Sequence, residues 1–260
     1  MSAVHKLLLR YSLKMFELTL STTIDKQIYL GEVFKKLNQD IKQDEGIIVK
    51  QNSCGRAYLA LAVNEKKKEY YKSKILDYIL FMIIDDYKFN FYKQTIIADG
   101  KNMLYPAFLK AITIFDADSD KDIIKSQIQL SGEILIDSFF YFKLQLLRAR
   151  WERTANIINQ NAIMQSSPAM LDILKYLTTM SDEGIAKADV TFSKNQITIK
   201  TYCGTKKFKT DFESKSSFLT EIVKLNPNRI NLKESQNQNL HGDVKEILNH
   251  VFGEKIYLAN

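Results

Sequence analysis

The hydrophobic positions near the start of the chain change period twice. From Phe16 to Leu20, apolar and polar side chains alternate, which predicts a half-buried strand. Between Leu30 and Ile41 the apolar positions recur every three or four residues, which predicts an amphipathic helix. Apolar runs at 47–49 and 58–63, separated by a turn-forming Asn-Ser-Cys-Gly, predict two further strands joined as a hairpin.

Residues 65–182 carry the spacing of helices throughout. An apolar stripe from Tyr71 to Ile83 predicts one helix. Ser119, with Asp122 three residues later, has the spacing of a capping box and predicts the start of another. We predict that the stretch from Phe139 to Asn159 is one continuous helix.

The last part of the chain returns to strands. Three short strands within 188–210 predict a meander, and a helix–strand–helix–strand pattern follows over 215–258. The predicted fold class is therefore α+β, with a small N-terminal βαββ unit, a central helical layer, and a C-terminal mixed sheet with two helices.

These elements predict three segments along the chain. Residues 1–64 form the small α+β unit, with 1–14 as a candidate tail. Residues 65–182 form the helical region, and residues 183–260 form the C-terminal α+β domain. The low numbers of glycine (9) and proline (3) indicate few long loops.

The composition predicts a cytoplasmic protein that does not span a membrane. A membrane-spanning helix needs roughly 20 predominantly apolar residues in a row, and the longest apolar run, Ile79–Ile84, is far shorter. The first residues are interrupted by Lys6 and Arg10, unlike a signal peptide. Cys54 and Cys203 lie far apart and predict reduced thiols, with a structural disulfide as the alternative.

The net charge of +7 is spread thinly along the chain. Basic and acidic residues number 9 and 6 in residues 1–63, 16 and 15 in 64–182, and 12 and 9 in 183–260. Dedicated nucleic-acid-binding proteins usually gather positive charge on one face. The charge therefore favours an ordinary solvated surface, with weak nucleic-acid binding as the alternative.

No motif predicts a catalytic, metal or cofactor site. The acidic run from Asp116 to Asp122 resembles the start of an EF-hand loop, but Lys121 and Gln127 replace its glycine and its final glutamate. The run is therefore predicted to be an acidic loop that leads into a capped helix. The three histidines have no zinc-ligand spacing, and no phosphate-binding glycine loop is present. A nucleophile pair of His241 with Cys54 or Cys203 is left open, because such partners meet only in the fold.

The predicted helix after Phe139 contains the candidate binding residues. In a continuous helix, the apolar arc contains Leu146, and Arg148 lies on the opposite, polar face. Lys143 and Arg150 would fall within the apolar arc, with Arg153 at its edge and Trp151 beside them. One interpretation is a buried ion pair in which Arg150 meets an acidic residue of the central helices, such as Asp85 or Asp86. The other is an anion-binding or partner-binding face formed by Lys143, Arg150, Trp151 and Arg153.

Three stretches resemble one known family. They are ILIDSFFYFKLQ (Ile134–Gln145), MLDILKYLTTMSDEGIAKADVTFSKNQITI (Met170–Ile199), and a close from Ile222 to Leu258 in which a Pro-containing basic strand precedes a helix ending in Phe-Gly. In this order they are similar to the sporulation protein YtxC family. Ser138 and Lys143 stand where that family usually has Gly and Arg. The resemblance implies a cytosolic role during sporulation and carries over no enzymatic activity, cofactor or catalytic residue.

We therefore expect a non-enzymatic, sporulation-associated protein that acts through contacts with a protein partner. Weak, sequence-independent nucleic-acid binding is the alternative function. An enzyme whose site is assembled from scattered polar residues ranks last.

Overall fold

The structure is a computed structural model that describes residues 15–42, 45–97, 102–161, 166–181, 184–234 and 241–258. The candidate tail at 1–14 and most of the polar loop predicted at 234–239 lie outside these residues. The chain divides into two compact units. The first comprises the described residues up to Asp86 together with Asp118–Ala149, and the second comprises Tyr87–Ala117 and the described residues from Arg150 onwards.

Nine strands form two sheets within the described residues. They are β1 (Met15–Thr23), β2 (Gly46–Ser53), β3 (Arg56–Asn64), β4 (Gly132–Leu135), β5 (Ala188–Ser193), β6 (Gln196–Thr201), β7 (Gly204–Phe208), β8 (Ile230–Glu234) and β9 (Ile256–Leu258).

The α-helices alternate with short turns and two π-helical segments. In chain order the helices are α1 (Gln27–Asp40), α2 (Lys68–Phe81), α3 (Phe89–Thr95), α4 (Tyr105–Phe115), α5 (Ala117–Gln127), α6 (Gln145–Gln160), α7 (Ser167–Met180), α8 (Phe212–Leu225) and α9 (Gly242–Phe252). The π-helical segments are Met82–Lys88 and Phe139–Lys143, and short helical turns lie at 24–26, 65–67, 136–138 and 253–255.

The sheet of the first unit has the strand order β2-β3-β1-β4. β3 lies antiparallel between β1 and β2, so β1, α1 and β2 form a split β-α-β unit. Cys54 and Gly55 connect β2 to β3 with φ values of 49° and 73°. Positive φ at both central residues is typical of the tight hairpin turn whose twist matches the flanking strands.

The sheet of the second unit has the strand order β7-β6-β5-β8-β9. β5, β6 and β7 form the predicted antiparallel meander. β8 pairs parallel to β5 after helix α8, and β9 pairs parallel to β8 after helix α9. The α+β fold class, with its N-terminal βαββ order and its C-terminal mixed sheet, is confirmed.

Two local features differ from the predictions. The short strand β4, which pairs parallel to β1, was not predicted. The helix predicted from Phe139 to Asn159 is interrupted, because Leu144 leaves helical geometry (φ −102°, ψ 29°) between a π-helical segment and α6. Because of this interruption, the side chains after Leu144 point in directions other than those of one continuous helix.

Candidate functional site

The four predicted binding residues are distributed over both units. Lys143 ends the π-helical segment of the first unit, whereas Arg150, Trp151 and Arg153 lie on α6 in the second. Lys143 and Arg153 are exposed, and Trp151 is fully buried. The indole of Trp151 therefore lies in the core of its unit, where it supports packing rather than forming a surface contact.

Arg150 pairs with an acid of the central helices, but it is not largely buried as predicted. Its Nη2 lies 3.5 Å from Oδ2 of Asp116, and 42% of its side chain is exposed. The predicted partners Asp85 and Asp86 belong to the first unit, where Asp86 accepts hydrogen bonds from Lys26 and Tyr29. The prediction of a deep position is wrong because it assumed a helix without the interruption at Leu144.

Among the described residues of the second unit, the most deeply buried cation is Lys88. Its side chain is completely buried and forms an ion pair with Asp116, the same carboxylate that faces Arg150. Its ammonium lies 5.8 Å from the ring centroids of both Tyr92 and Trp151. Because an ammonium is costly to desolvate, the carboxylate and the two aromatic faces compensate for its burial.

The feature best suited to partner binding is an exposed cluster in the first unit, which we call the aromatic patch. It consists of Tyr141, Phe142, Lys143, Leu146 and Arg148. The exposed fractions of Tyr141, Phe142 and Leu146 are 51%, 71% and 87%. Three large apolar side chains exposed within six consecutive residues exceed the scattered single exposures normal for a protein surface.

Arg148 holds the edge of the aromatic patch in place. Its guanidinium carbon lies 5.1 Å from the ring centroid of Tyr141 and 5.6 Å from that of Phe140, and its Nη1 donates to the carbonyl oxygen of Tyr141 at 3.4 Å. Phe140 is buried and contacts Tyr141 edge-to-face, with the two ring centroids 5.1 Å apart. Tyr141 is thus fixed on two sides while half of it remains exposed.

The acidic run from Asp116 to Asp122 is helical rather than a loop. Asp116 caps the end of α4, and the following residues form α5. Lys121 pairs with Asp118 at 2.7 Å, and Lys125 pairs with Asp122 at 3.6 Å, each one turn along the helix. Across the described residues, no group of three or more acidic, histidine or cysteine side chains is arranged to hold a metal ion.

The cysteines and His241 occupy different environments. Cys54 and Cys203 are both free and exposed, as the reduced-thiol prediction expects. His241 is buried, packs 5.3 Å from the ring centroid of Phe192, and lies with its Nε2 2.9 Å from the carbonyl oxygen of Ser193. Because a carbonyl only accepts, that nitrogen carries the proton, which favours a structural role for the ring.

The sequence reasoning missed the exposed residues of the aromatic patch. Leu146 was assigned to the apolar arc that faces the core, yet it is among the most exposed side chains of the described residues. Arg148 was assigned to the polar face, yet it is half-buried against two aromatic rings. The run of four aromatic residues from Phe139 to Phe142 was a usable signal, because a helical segment cannot direct four consecutive side chains to one core.

Comparisons of the chain with protein-family models, with curated proteins and with solved structures found no match. Among the described residues, no helix is both long enough and apolar enough to cross a membrane.

Proposed function

We propose that this protein is non-enzymatic and acts in the cytoplasm during sporulation by binding a protein partner through the aromatic patch. The observation that carries the proposal is the exposure of Phe142 and Leu146, at 71% and 87% of their surfaces. Burying apolar surface contributes about 25 cal/mol per Å², so a partner that covers both side chains gains several kcal/mol before its costs.

The patch also has the composition of an interface centre. Aromatic side chains and arginine are enriched where binding energy concentrates, and Tyr141 and Arg148 are already held together before any partner arrives. Side chains that are fixed in advance lose less conformational entropy on binding.

The charge of the patch indicates the chemistry of its partner. Lys143 is exposed beside Phe142, and Arg148 lies at the other edge of the patch. We infer a partner surface with an apolar centre and acidic side chains around it, because such a surface complements the patch in both respects.

The family resemblance supports the cellular setting of this proposal. The segment that resembles the YtxC family, Ser138–Leu144, includes three residues of the aromatic patch.

Crosslinking from inside the patch tests the proposal. A photoreactive phenylalanine analogue at position 142 should capture one discrete partner in sporulating host cells and not in vegetative cells. The captured protein is then purified, and its affinity is measured by calorimetry. We expect Phe142→Ala and Leu146→Ala each to weaken binding at least about tenfold, as for residues at an interface centre.

Ile28→Ala is the matched control, because Ile28 is an exposed aliphatic side chain on a helix of the same unit. It should leave the affinity unchanged. Equal affinities for all three variants would contradict the assignment of the patch, and the same adduct in vegetative cells would contradict the role in sporulation.

The alternative function, weak nucleic-acid binding, is favoured by one specific surface. The hairpin of β6 and β7, together with Lys209 just after it, exposes four lysines, of which Lys206 is paired with Glu221, and Tyr202 at its turn is 84% exposed. We call this the basic hairpin; its lysines are Lys200, Lys206, Lys207 and Lys209. Lysines that contact phosphates beside an aromatic ring that stacks on bases are typical of single-strand binding without sequence preference.

Anisotropy titrations of a labelled thymidine oligonucleotide at several salt concentrations test this alternative. The logarithm of the affinity should fall linearly with the logarithm of the salt concentration, by about 0.7 for each phosphate contacted. Lys207→Gln should make this dependence shallower, whereas Tyr202→Ala should weaken binding and leave the slope unchanged. Sequence-selective binding of nanomolar affinity would contradict the weak, non-selective mode.

A further inference from the structure

A groove in the first unit has a different chemistry from the aromatic patch. It has a volume of about 260 Å³ and lies between one face of α1 and the end of α2. From α1 it is lined by Tyr29, Glu32, Val33 and Lys36, which share a helix face because they are spaced by three and four residues. Val33 is buried at the base, and Glu32 and Lys36 are exposed at the rim.

The opposite side of the groove comes from the end of α2. Asp77, Tyr78 and Phe81 line it, and Met82, the first residue of the π-helical segment, is buried there. Extra residues of this kind within a helix are found frequently at functional sites. Phe81 is 44% exposed, and its side chain lines the groove.

The groove is acidic although the chain as a whole is basic. Glu32 and Asp77 contribute two carboxylates against the single ammonium of Lys36. Behind Tyr29, the buried carboxylate of Asp86, which is paired with Lys26, accepts a hydrogen bond from the Tyr29 hydroxyl at 2.8 Å. Burial, followed by this hydrogen bond, raises the pKa of the Tyr29 hydroxyl well above its usual range, so the hydroxyl stays protonated.

One wall of the groove already holds an ammonium group. The Nζ of Lys36 lies 5.4 Å from the ring centroid of Tyr78, which is within the distance at which an aromatic face attracts a cation. Lys36 is exposed and its stem is flexible, so it can move aside for a ligand that makes the same contact and also meets a carboxylate.

We propose that this groove binds the alkylammonium group of a ligand between Tyr29, Tyr78 and Phe81, with Glu32 and Asp77 balancing its charge. Aromatic walls with nearby carboxylates are how proteins recognise quaternary and methylated ammonium groups. The volume fits a group of that size and is below the range of about 300–1,000 Å³ usual for drug-sized ligands. The same chemistry is carried by a free small amine and by a lysine side chain of a peptide.

Methyl NMR of the protein labelled at its methionines tests the proposal directly. Met82 is buried and lines the groove, so a ligand that enters the groove should shift the resonance of its methyl group. Choline should shift it in a saturable manner, and 3,3-dimethylbutanol, the neutral analogue of the same shape, should bind at least tenfold more weakly. A titration with a peptide that carries one trimethyllysine distinguishes a peptide side chain from a free amine, according to which of the two binds more tightly.

Two lysines on α1 provide a matched pair of variants. Lys36→Met removes the resident ammonium from the groove, whereas Lys35→Met makes the same change of charge on an exposed neighbour that does not line it. We expect Lys36→Met to tighten choline binding several-fold and Lys35→Met to leave it nearly unchanged, while Asp77→Asn should weaken it several-fold. Equal effects of the two lysine variants, equal binding of the neutral analogue, or no shift of Met82 with either cation would overturn the proposal.

Discussion

The buried ammonium of Lys88 allows a prediction of stability that does not depend on any ligand. Its side chain is fully buried, and Asp116 provides the carboxylate that faces it. Removing one partner of a buried pair typically costs about 3–5 kcal/mol, because the other charge stays desolvated. We expect Asp116→Ala to cost about 3 kcal/mol, the lower end of that range. The reason is that 23% of the Asp116 side chain is exposed and water already reaches it.

The two members of this pair should not respond equally to substitution. Lys88→Met removes the charge that is costly to bury and replaces it with an apolar side chain that packs well against aromatic rings such as Trp151. Asp116 then keeps water and Arg150, whose Nη2 lies 3.5 Å away. We expect Lys88→Met to change the free energy of unfolding by less than about 1.5 kcal/mol.

Arg150→Ala is the control, because it removes a half-exposed guanidinium that faces the same carboxylate. Half-exposed pairs contribute at most about 1 kcal/mol, so this variant should be mild. Urea unfolding followed by fluorescence provides the measurement, since the only tryptophan, Trp151, lies beside Lys88 and reports on the second unit. The account of the buried pair is refuted if Asp116→Ala costs less than about 1 kcal/mol, or if Arg150→Ala costs as much as Asp116→Ala.

Three further predictions concern other parts of the chain. Arg148→Lys keeps the charge but removes the guanidinium from the ring of Tyr141, so we expect the free energy of unfolding to fall by about 1 kcal/mol in a thermal or urea titration. An unchanged free energy of unfolding would contradict a stabilising role for this contact. Hydrogen bonds from the backbone N–H and then the hydroxyl of Ser214 lower the pKa of Asp211 at the start of α8. The stabilisation is therefore present above the unfolded pKa of about 4 and is lost as pH falls through the lower folded pKa. The difference in free energy of unfolding between the wild-type protein and Asp211→Asn should therefore become smaller in acid. A difference that stays the same at low pH would contradict the capping role of Asp211. Melting curves with calcium and with chelator should coincide. A ligand that binds only the folded state adds about 2.7 kcal/mol to the free energy of unfolding at a hundredfold excess over its Kd, so a bound calcium ion would separate the two curves. A separation that Asp118→Ala abolishes would therefore reveal a calcium site.

The strands that were predicted are those whose signals are local. β3 alternates between buried and more exposed side chains over its whole length, and β1 does so from Met15 to Leu20, because one face of the sheet is buried and the other is open. β4 has only four residues, and it continues without a turn residue into the helical turn at Ile136–Ser138. Its identity as a strand comes from parallel pairing with β1, more than one hundred residues earlier, which no local pattern reports.

The candidate binding residues were misplaced for a related reason. The interruption at Leu144 follows a π-helical segment and is marked by neither glycine nor proline. A single extra residue in a helical turn rotates everything after it by about 100°, which carries Leu146 from the predicted core face to the surface. Lys88 was equally hidden, because a lysine in a helical stretch is usually a surface residue and only the fold brings Asp116 and Trp151 to it.

Charge counted along the chain is a poor guide to the potential at a surface. The region 64–182 is nearly balanced, with 16 basic and 15 acidic residues, yet it supplies both the buried Lys88 and the acidic wall of the groove at Asp77. Fields between exposed charges fall off within about 10 Å at ordinary ionic strength, so only neighbours in the fold contribute to them. The net charge of +7 therefore permits a groove that attracts cations and a basic hairpin in the same chain. For this reason high salt should weaken oligonucleotide binding at the basic hairpin far more than choline binding in the groove, where aromatic faces contribute much of the affinity.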